Sequence, residues 1–159
     1  APWRMEYLVC EKQEGCVFCK CSTRCDDYVL YEGKSCFVIL NRYPYVNGHL
    51  MIIPNRHLGG LEELTAEERS EIFDLLDVSV KVLKEAMKPD GFNVGMNLGK
   101  AAGAGIAEHV HMHVIPRWEG DTNFMTVVGN VRVVPEDPAV TAAKLMPLFE
   151  KYTRGGEKR

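Results

Sequence analysis

The sequence predicts an α+β domain built on a mainly antiparallel five-stranded sheet, with one long helix and a C-terminal helix. Five short segments are rich in β-branched and aromatic residues, one long segment carries a helix-start signal and an apolar stripe, and a Pro-initiated helical stretch lies near the end. With 159 residues there is room for one core of ordinary size and not for two, so residues 1–159 read as a single domain.

In chain order, "DYVLYEG", "SCFVILN" and "HLMIIP" are separated by Gly, Asn and Pro, the pattern of strands joined by hairpins. Thr65 with Glu68 three positions on forms a capping box. Ile72, Leu75, Leu76, Val82, Leu83, Ala86 and Met87 then fall on or near one helical face until "KPDG" stops it. "GFNVGMNLG" and "HVHMHVIP" supply two more strands. "EDPAVTAAKLMPLFEKY" is a final helix started by Asp137 and Pro138 and bent near Pro147, with residues 154–159 expected to fray.

Composition narrows the function classes. A net charge of -3 with 26% charged and 46% hydrophobic residues gives no basic groove for DNA or RNA. No apolar run approaches the roughly 20 residues of a membrane helix, and "APWRMEYLV" lacks the pattern of a signal peptide. A cytoplasmic protein with no nucleic-acid or membrane partner is the expectation.

Four of the six cysteines crowd into "CVFCKCSTRC", which suits a metal site better than a disulfide framework in a chain without an export signal. Cys16 and Cys19 form a C-x-x-C pair able to reach one tetrahedral ion, each at about 2.3 Å. The alternative is a reduced, solvent-facing thiol cluster.

The densest signal is "EHVHMHVIPRW", with three of the five histidines at alternate positions. On a strand such residues share a face, whereas on a helix they diverge by roughly 100° per residue. Val110, Met112 and Val114 would then face the core, with Pro116 ending the ladder. Burying three imidazoles without partners is costly, so one face holding all three implies a site. Just upstream, "NLGKAAGAG" places Gly99, Gly103 and Gly105 beside them. It fits neither G-x-x-x-x-G-K-[ST] nor G-x-G-x-x-G. Glycines can still aim several backbone N–H groups at one anion, which suggests a phosphate cradle beside a nucleophile or general acid, although a flexible loop has the same composition.

"HVHMHVI" matches without a gap the His-φ-His-φ-His-φ-φ pattern of the histidine triad (HIT) family, φ being apolar, and the chain resembles that family. The resemblance continues through "NRYPYVNGHLMIIPNRH", "APWRMEYL" and "PRWEGDTNFM" over roughly residues 1–135, and is nearest to bacterial members of the fragile-histidine-triad branch. It implies the HIT fold, usually paired as a two-fold homodimer. It casts His111 as the nucleophile that attacks a nucleotide α-phosphate and forms a nucleotidyl-histidine, with His113 bonding to the phosphate. Asn97 matches a polar contact on the phosphate or leaving-group side, Asn41 matches the residue that holds the ribose hydroxyls, and Gly103 and Gly105 belong to the cradle. The implied substrates are dinucleoside polyphosphates or adenosine phosphoramidates, with adenine as the base and a divalent cation such as Mg2+ accompanying the polyphosphate.

The same resemblance completes the metal set as Cys16, Cys19, His57 and His109, a closed Cys2His2 group for a structural zinc that pins the N-terminal zinc-binding segment, 1–27, to the catalytic strand. Cys21 and Cys25 compete as ligands and rank below His57 and His109. His49 is left over, either orienting a neighbour or serving as a hydrogen-bonded structural histidine. One departure stands out: many members carry Gln or Ser in the glycine-rich loop, where this chain has Ala104 and Gly105. Backbone N–H groups of residues 103–106 could take over that contact. Hydrolysis is the expected outcome. The alternatives are a phosphorylase using inorganic phosphate, a non-enzymatic nucleotide sensor, and a catalytic zinc hydrolase, the last weakened because Glu108 alternates to the wrong face.

Overall fold

The computed structural model describes residues 15–21, 28–42, 44, 46–122 and 136–154. "APWRMEYL", Cys25, the "NFM" that ends the last family-like stretch, and residues 155–159 lie outside the described residues. The five expected strands are present: β1 (Val29–Glu32), β2 (Cys36–Leu40), β3 (Leu50–Pro54), β4 (Gly91–Gly95) and β5 (Met112–Arg117). They form one antiparallel sheet in the order β1-β2-β3-β5-β4. Around it are α1 (Val17–Cys21), α2 (Ala66–Met87) and α3 (Pro138–Arg154).

Every residue of β2 and β3 is buried, because the two sheet faces are covered by different partners. Val38, Leu40, Leu50 and Ile52 face the helices, where Ile72, Leu83, Leu145 and Phe149 complete the main core. Phe37, Ile39, Met51 and Ile53 point to the opposite face and pack with Phe18 of α1. Side-chain alternation on two hydrogen-bonded strands thus creates two apolar layers, and the second is where the histidines lie.

Helix α2 starts as expected. Thr65 Oγ1 accepts from Glu68 N at 3.2 Å, and the Glu68 carboxylate accepts from Thr65 N at 2.9 Å. It ends on Lys88 in the left-handed region, φ 49°, just before Pro89. Ala86, expected on or near the apolar face, is exposed, whereas Met87 beside it in the last turn packs against the main core. Asp137 Oδ1 accepts from Ala139 N at 2.8 Å at the start of α3, and the helix continues through Pro147 to Arg154, so the first residue expected to fray is helical.

Strand β5 departs from expectation at both ends. It begins at Met112, after His111, and runs through Pro116 to Arg117. Its ladder with β3 stops at Val114, so by Pro116 only β4 pairs with it, and a residue without an N–H is tolerated where one side has no ladder.

The Glu68 carboxylate, on a residue only 4% exposed, also accepts both Arg56 Nε and an Arg56 terminal nitrogen at 2.7 Å, while that nitrogen also donates to Glu63 O at 2.9 Å. This fork ties the segment after β3, including His57, to the start of α2. The Arg56 guanidinium holds the Glu68 carboxyl at about 2, against an ordinary 4.5. The resulting stabilisation is complete above pH 4.5, declines as pH falls through the folded-state value, and is gone below about 2. Glu68→Gln should therefore cost roughly 2 kcal/mol in urea unfolding at pH 7, the scale of hydrogen bonds to a charged group, and the gap from wild type should shrink at pH 3. A gap independent of pH would mean the carboxylate charge is not what stabilises this segment.

Candidate active site

His109, His111 and His113 reach the site by different routes. His113 lies on β5 opposite Met51 and Gly95, in the row that continues to Ile39, so it shares the second apolar face. His111 precedes the strand and is nonetheless buried, 6% exposed, with its ring 4.8 Å from that of His113 and 4.9 Å from that of Phe18. His109 is fully buried and faces the cysteines.

Backbone bonds set the ring orientations. His111 Nδ1 lies 2.8 Å from His109 O, so Nδ1 carries the proton and donates, leaving the Nε2 lone pair outward. Burial pushes His111 below the usual imidazole range, partly offset by that carbonyl, and the neutral form has a lone pair to offer. Burial likewise lowers His113 to about 4, with His111 nearby adding to the shift.

His109 Nε2 donates to Pro54 O at 2.8 Å, which leaves Nδ1 as a ligand atom. It faces Cys16 Sγ at 3.3 Å and Cys19 Sγ at 3.6 Å, while His57 Nδ1 lies 3.4 Å from Cys19 Sγ. All four donor atoms fall within 4.8 Å of one another. Bonds of about 2.3 Å to sulfur and 2.0 Å to nitrogen in a tetrahedron place S and N about 3.5 Å apart, so the donor set fits such an ion. Cys16, Cys19, His57 and His109 are thus a candidate metal site. Helix α1 carries Cys19, with Cys16 just before its first residue, and Gly59 allows the His57 segment to close on residues 107–110: a Cβ there would approach Ala107 O to 3.2 Å, and Val110 N donates to Leu58 O at 2.7 Å. Of Cys21 only the backbone is described.

In the glycine-rich loop, Gly99 and Gly103 take positive φ, 81° and 85°, flanking a 3-10 turn at Lys100–Ala102. Gly103 N donates to Lys100 O at 3.0 Å and Ala104 N lies 3.4 Å from Gly99 O, so both N–H groups of that half of the expected cradle are engaged inside the loop. Gly105 is exposed and Asn97 half-buried, its Nδ2 at 3.5 Å from Gly103 O. Glu108 is exposed.

Residues 22–120 match the HIT domain family. The chain belongs to the HIT family. Over 108 residues it is 46% identical to a Mycobacterium tuberculosis protein named AP-4-A phosphorylase, covering 68% of this chain and 55% of that one. Over 94 residues it is 33% identical to a Saccharomyces cerevisiae bis(5'-adenosyl)-triphosphatase, covering 58% and 45%. This HIT chain therefore spans about half the length of these named relatives. A Zn-bound histidine triad family protein from Mycobacterium smegmatis superposes with a TM-score of 0.72 at 26% identity, over 89% of this chain and 97% of that one. No helix among the described residues is long and apolar enough to cross a membrane.

Two contacts of this HIT site were not specified by the sequence: the one made by Phe18, and the partner of His49, which was expected only to orient a neighbour or to be a hydrogen-bonded structural histidine. Phe18, in the middle of the C-x-x-C pair, lies edge-on against both His109 and His111. His49 is fully buried and bonded to His113. The spacing inside C-x-x-C could have hinted at the first, since a residue flanked by two ligands must approach the metal-bound elements. The second depends on a strand register across 64 positions of chain.

Proposed function

We propose that this protein is a nucleotidyl-transfer enzyme acting on dinucleoside polyphosphates, with inorganic phosphate as acceptor. The observation that carries this is the buried His111, whose Nδ1 lies 2.8 Å from His109 O and donates to it, so that Nε2 is the nitrogen available for attack. Attack of Nε2 on an α-phosphorus forms the N–P bond and releases the rest of the polyphosphate. An acceptor oxygen then breaks that bond and restores His111. His113 would bond to the phosphate, the N–H groups of the 105–107 turn and Asn97 would face the departing anion, and Asn41 would take the ribose.

Phosphate is preferred to water as acceptor because the relative named AP-4-A phosphorylase is the more similar, at 46% against 33% for the triphosphatase. This reverses the preference for hydrolysis drawn from the sequence. The Cys2His2 set is assigned to a structural zinc, supported by the Zn-bound neighbour; four protein donors leave no open position, which argues against a catalytic zinc hydrolase. A Mg2+ ion gains no support from the described residues, whose one metal-capable group is that set. The outer edge of β4 has no strand beside it among the described residues, and exposed Val94 and Leu98 nearby support a homodimer. Reduced thiols at the metal set suit the cytosol.

Diadenosine tetraphosphate separates the readings. Phosphate as acceptor yields ADP and ATP; water yields AMP and ATP. Chromatography with and without millimolar phosphate should show phosphate-dependent ADP with little AMP. AMP in both conditions would make it a hydrolase, and nucleotide binding without turnover would leave only the sensor.

A further inference from the structure

Asn41 and His49 face each other across the β2–β3 hairpin, where Asn41 N donates to His49 O at 2.9 Å, one step beyond the Leu40–Leu50 pair. Both therefore lie on the face that carries Ile39 and Met51, and so does His113. Asn41 Nδ2 is 3.1 Å from His49 Nδ1, and His49 Nε2 is 2.9 Å from His113 Nδ1.

We propose that Asn41, acting through His49, sets which ring nitrogen of His113 carries the proton. An amide nitrogen can only donate, so His49 Nδ1 accepts and its single proton is on Nε2. That proton is donated to His113 Nδ1, which leaves the His113 proton on Nε2, the nitrogen not engaged by His49. Each neutral imidazole has one N–H, so fixing one end of the chain fixes the other. Both rings are held neutral by burial, His49 at about 3 and His113 at about 4. His113 is thereby kept as a donor toward an anionic phosphate oxygen, and the reverse tautomer would turn a lone pair toward that oxygen. Asn41 and His49 are positioning residues in this scheme. The last step, the contact with phosphate, rests on the proposed function, whereas the proton arrangement does not.

Long-range 1H–15N correlation spectra of the imidazole rings at pH 8 test this without turnover. In wild type, His49 and His113 should both show protonated Nε2 and bare Nδ1; a His113 protonated on Nδ1 overturns the proposal. In Asn41→Asp the carboxylate can only accept, so both rings should switch to the Nδ1–H form, and kcat should fall at least tenfold beyond any change in KM. Should the aspartate variant not fold, Asn41→Leu removes donor and acceptor alike, and His113 should then populate both tautomers. A His113 that stays wholly Nε2–H in whichever of these variants folds removes Asn41 as the determinant. Correct tautomers in a protein that turns over no nucleotide would instead leave the relay standing and sink the enzymatic reading.

Discussion

His111→Asn is expected to reduce turnover by roughly 10⁴-fold or more while nucleotide binding survives, the scale seen when a covalent nucleophile is removed. Asparagine keeps a polar group of similar reach, and its Nδ2 can occupy the place of the imidazole N–H that donates to His109 O, so the fold around Phe18 and His113 should persist. What it cannot do is form the N–P bond. No neighbour replaces it readily: His113 already has Nδ1 bonded to His49 at 2.9 Å, and His109 uses Nε2 on Pro54 O and turns Nδ1 to the cysteines. A single-turnover assay with labelled substrate, alongside a nucleotide-binding titration, measures both quantities. Retention of more than about a tenth of the wild-type rate, a loss under about 1.4 kcal/mol, would sink the nucleophile assignment. Loss of binding together with rate would point instead to collapse of the pocket.

How much of this was legible beforehand varies with the range of the interaction. Helix α2 could be bounded from Thr65, Glu68 and "KPDG" because caps and stop signals act within a few residues. The five strands were legible from composition, and hairpin distances gave the β1-β2-β3 order. The placement of β5 between β3 and β4 has no local signal, and with it went the contact between His49 and His113. Alternation marked "HVHMHVIP" as a strand, yet of the three histidines only His113 lies within β5, because at His109–His111 the chain pairs with the Leu58 segment through Val110 and not with β3. The cysteine cluster was read as a ligand supply and not as a helix. Five residues are too few for propensity to register, and α1 packs through Phe18 against the second apolar layer, a tertiary cause invisible to a local window. In the glycine-rich loop the presence of a turn was readable, but its internal bonding was not, so Gly103 was counted as a donor to substrate while its N–H already serves Lys100 O.

Purified protein is expected to carry about one zinc per chain, and Cys16→Ser or His57→Ala should lose metal, stability and activity together. Cys16 immediately precedes α1 and Cys19 lies within it, His57 comes from the segment after β3 and His109 from the approach to β5, so one ion would cross-link three separate parts of the chain. An unfolded chain offers no such preformed set, and metal binding therefore adds directly to folding free energy. At a thousandfold excess of metal over Kd the linkage is about 4 kcal/mol, which for a domain of this size lowers Tm by about 10 °C when lost. Activity should fail indirectly, through Phe18: without the ion α1 loses its main tether, and the ring that packs 4.9 Å from His111 no longer walls the nucleophile from water. Phe18→Ala separates the two effects, since it should retain zinc and lose part of kcat, whereas Cys16→Ser should lose both. Metal analysis, thermal unfolding with and without chelator, and single-turnover rates on the three proteins give the full comparison. A metal-free wild type as stable in chelator as without it would remove the structural role and leave the cysteines as a reduced thiol cluster.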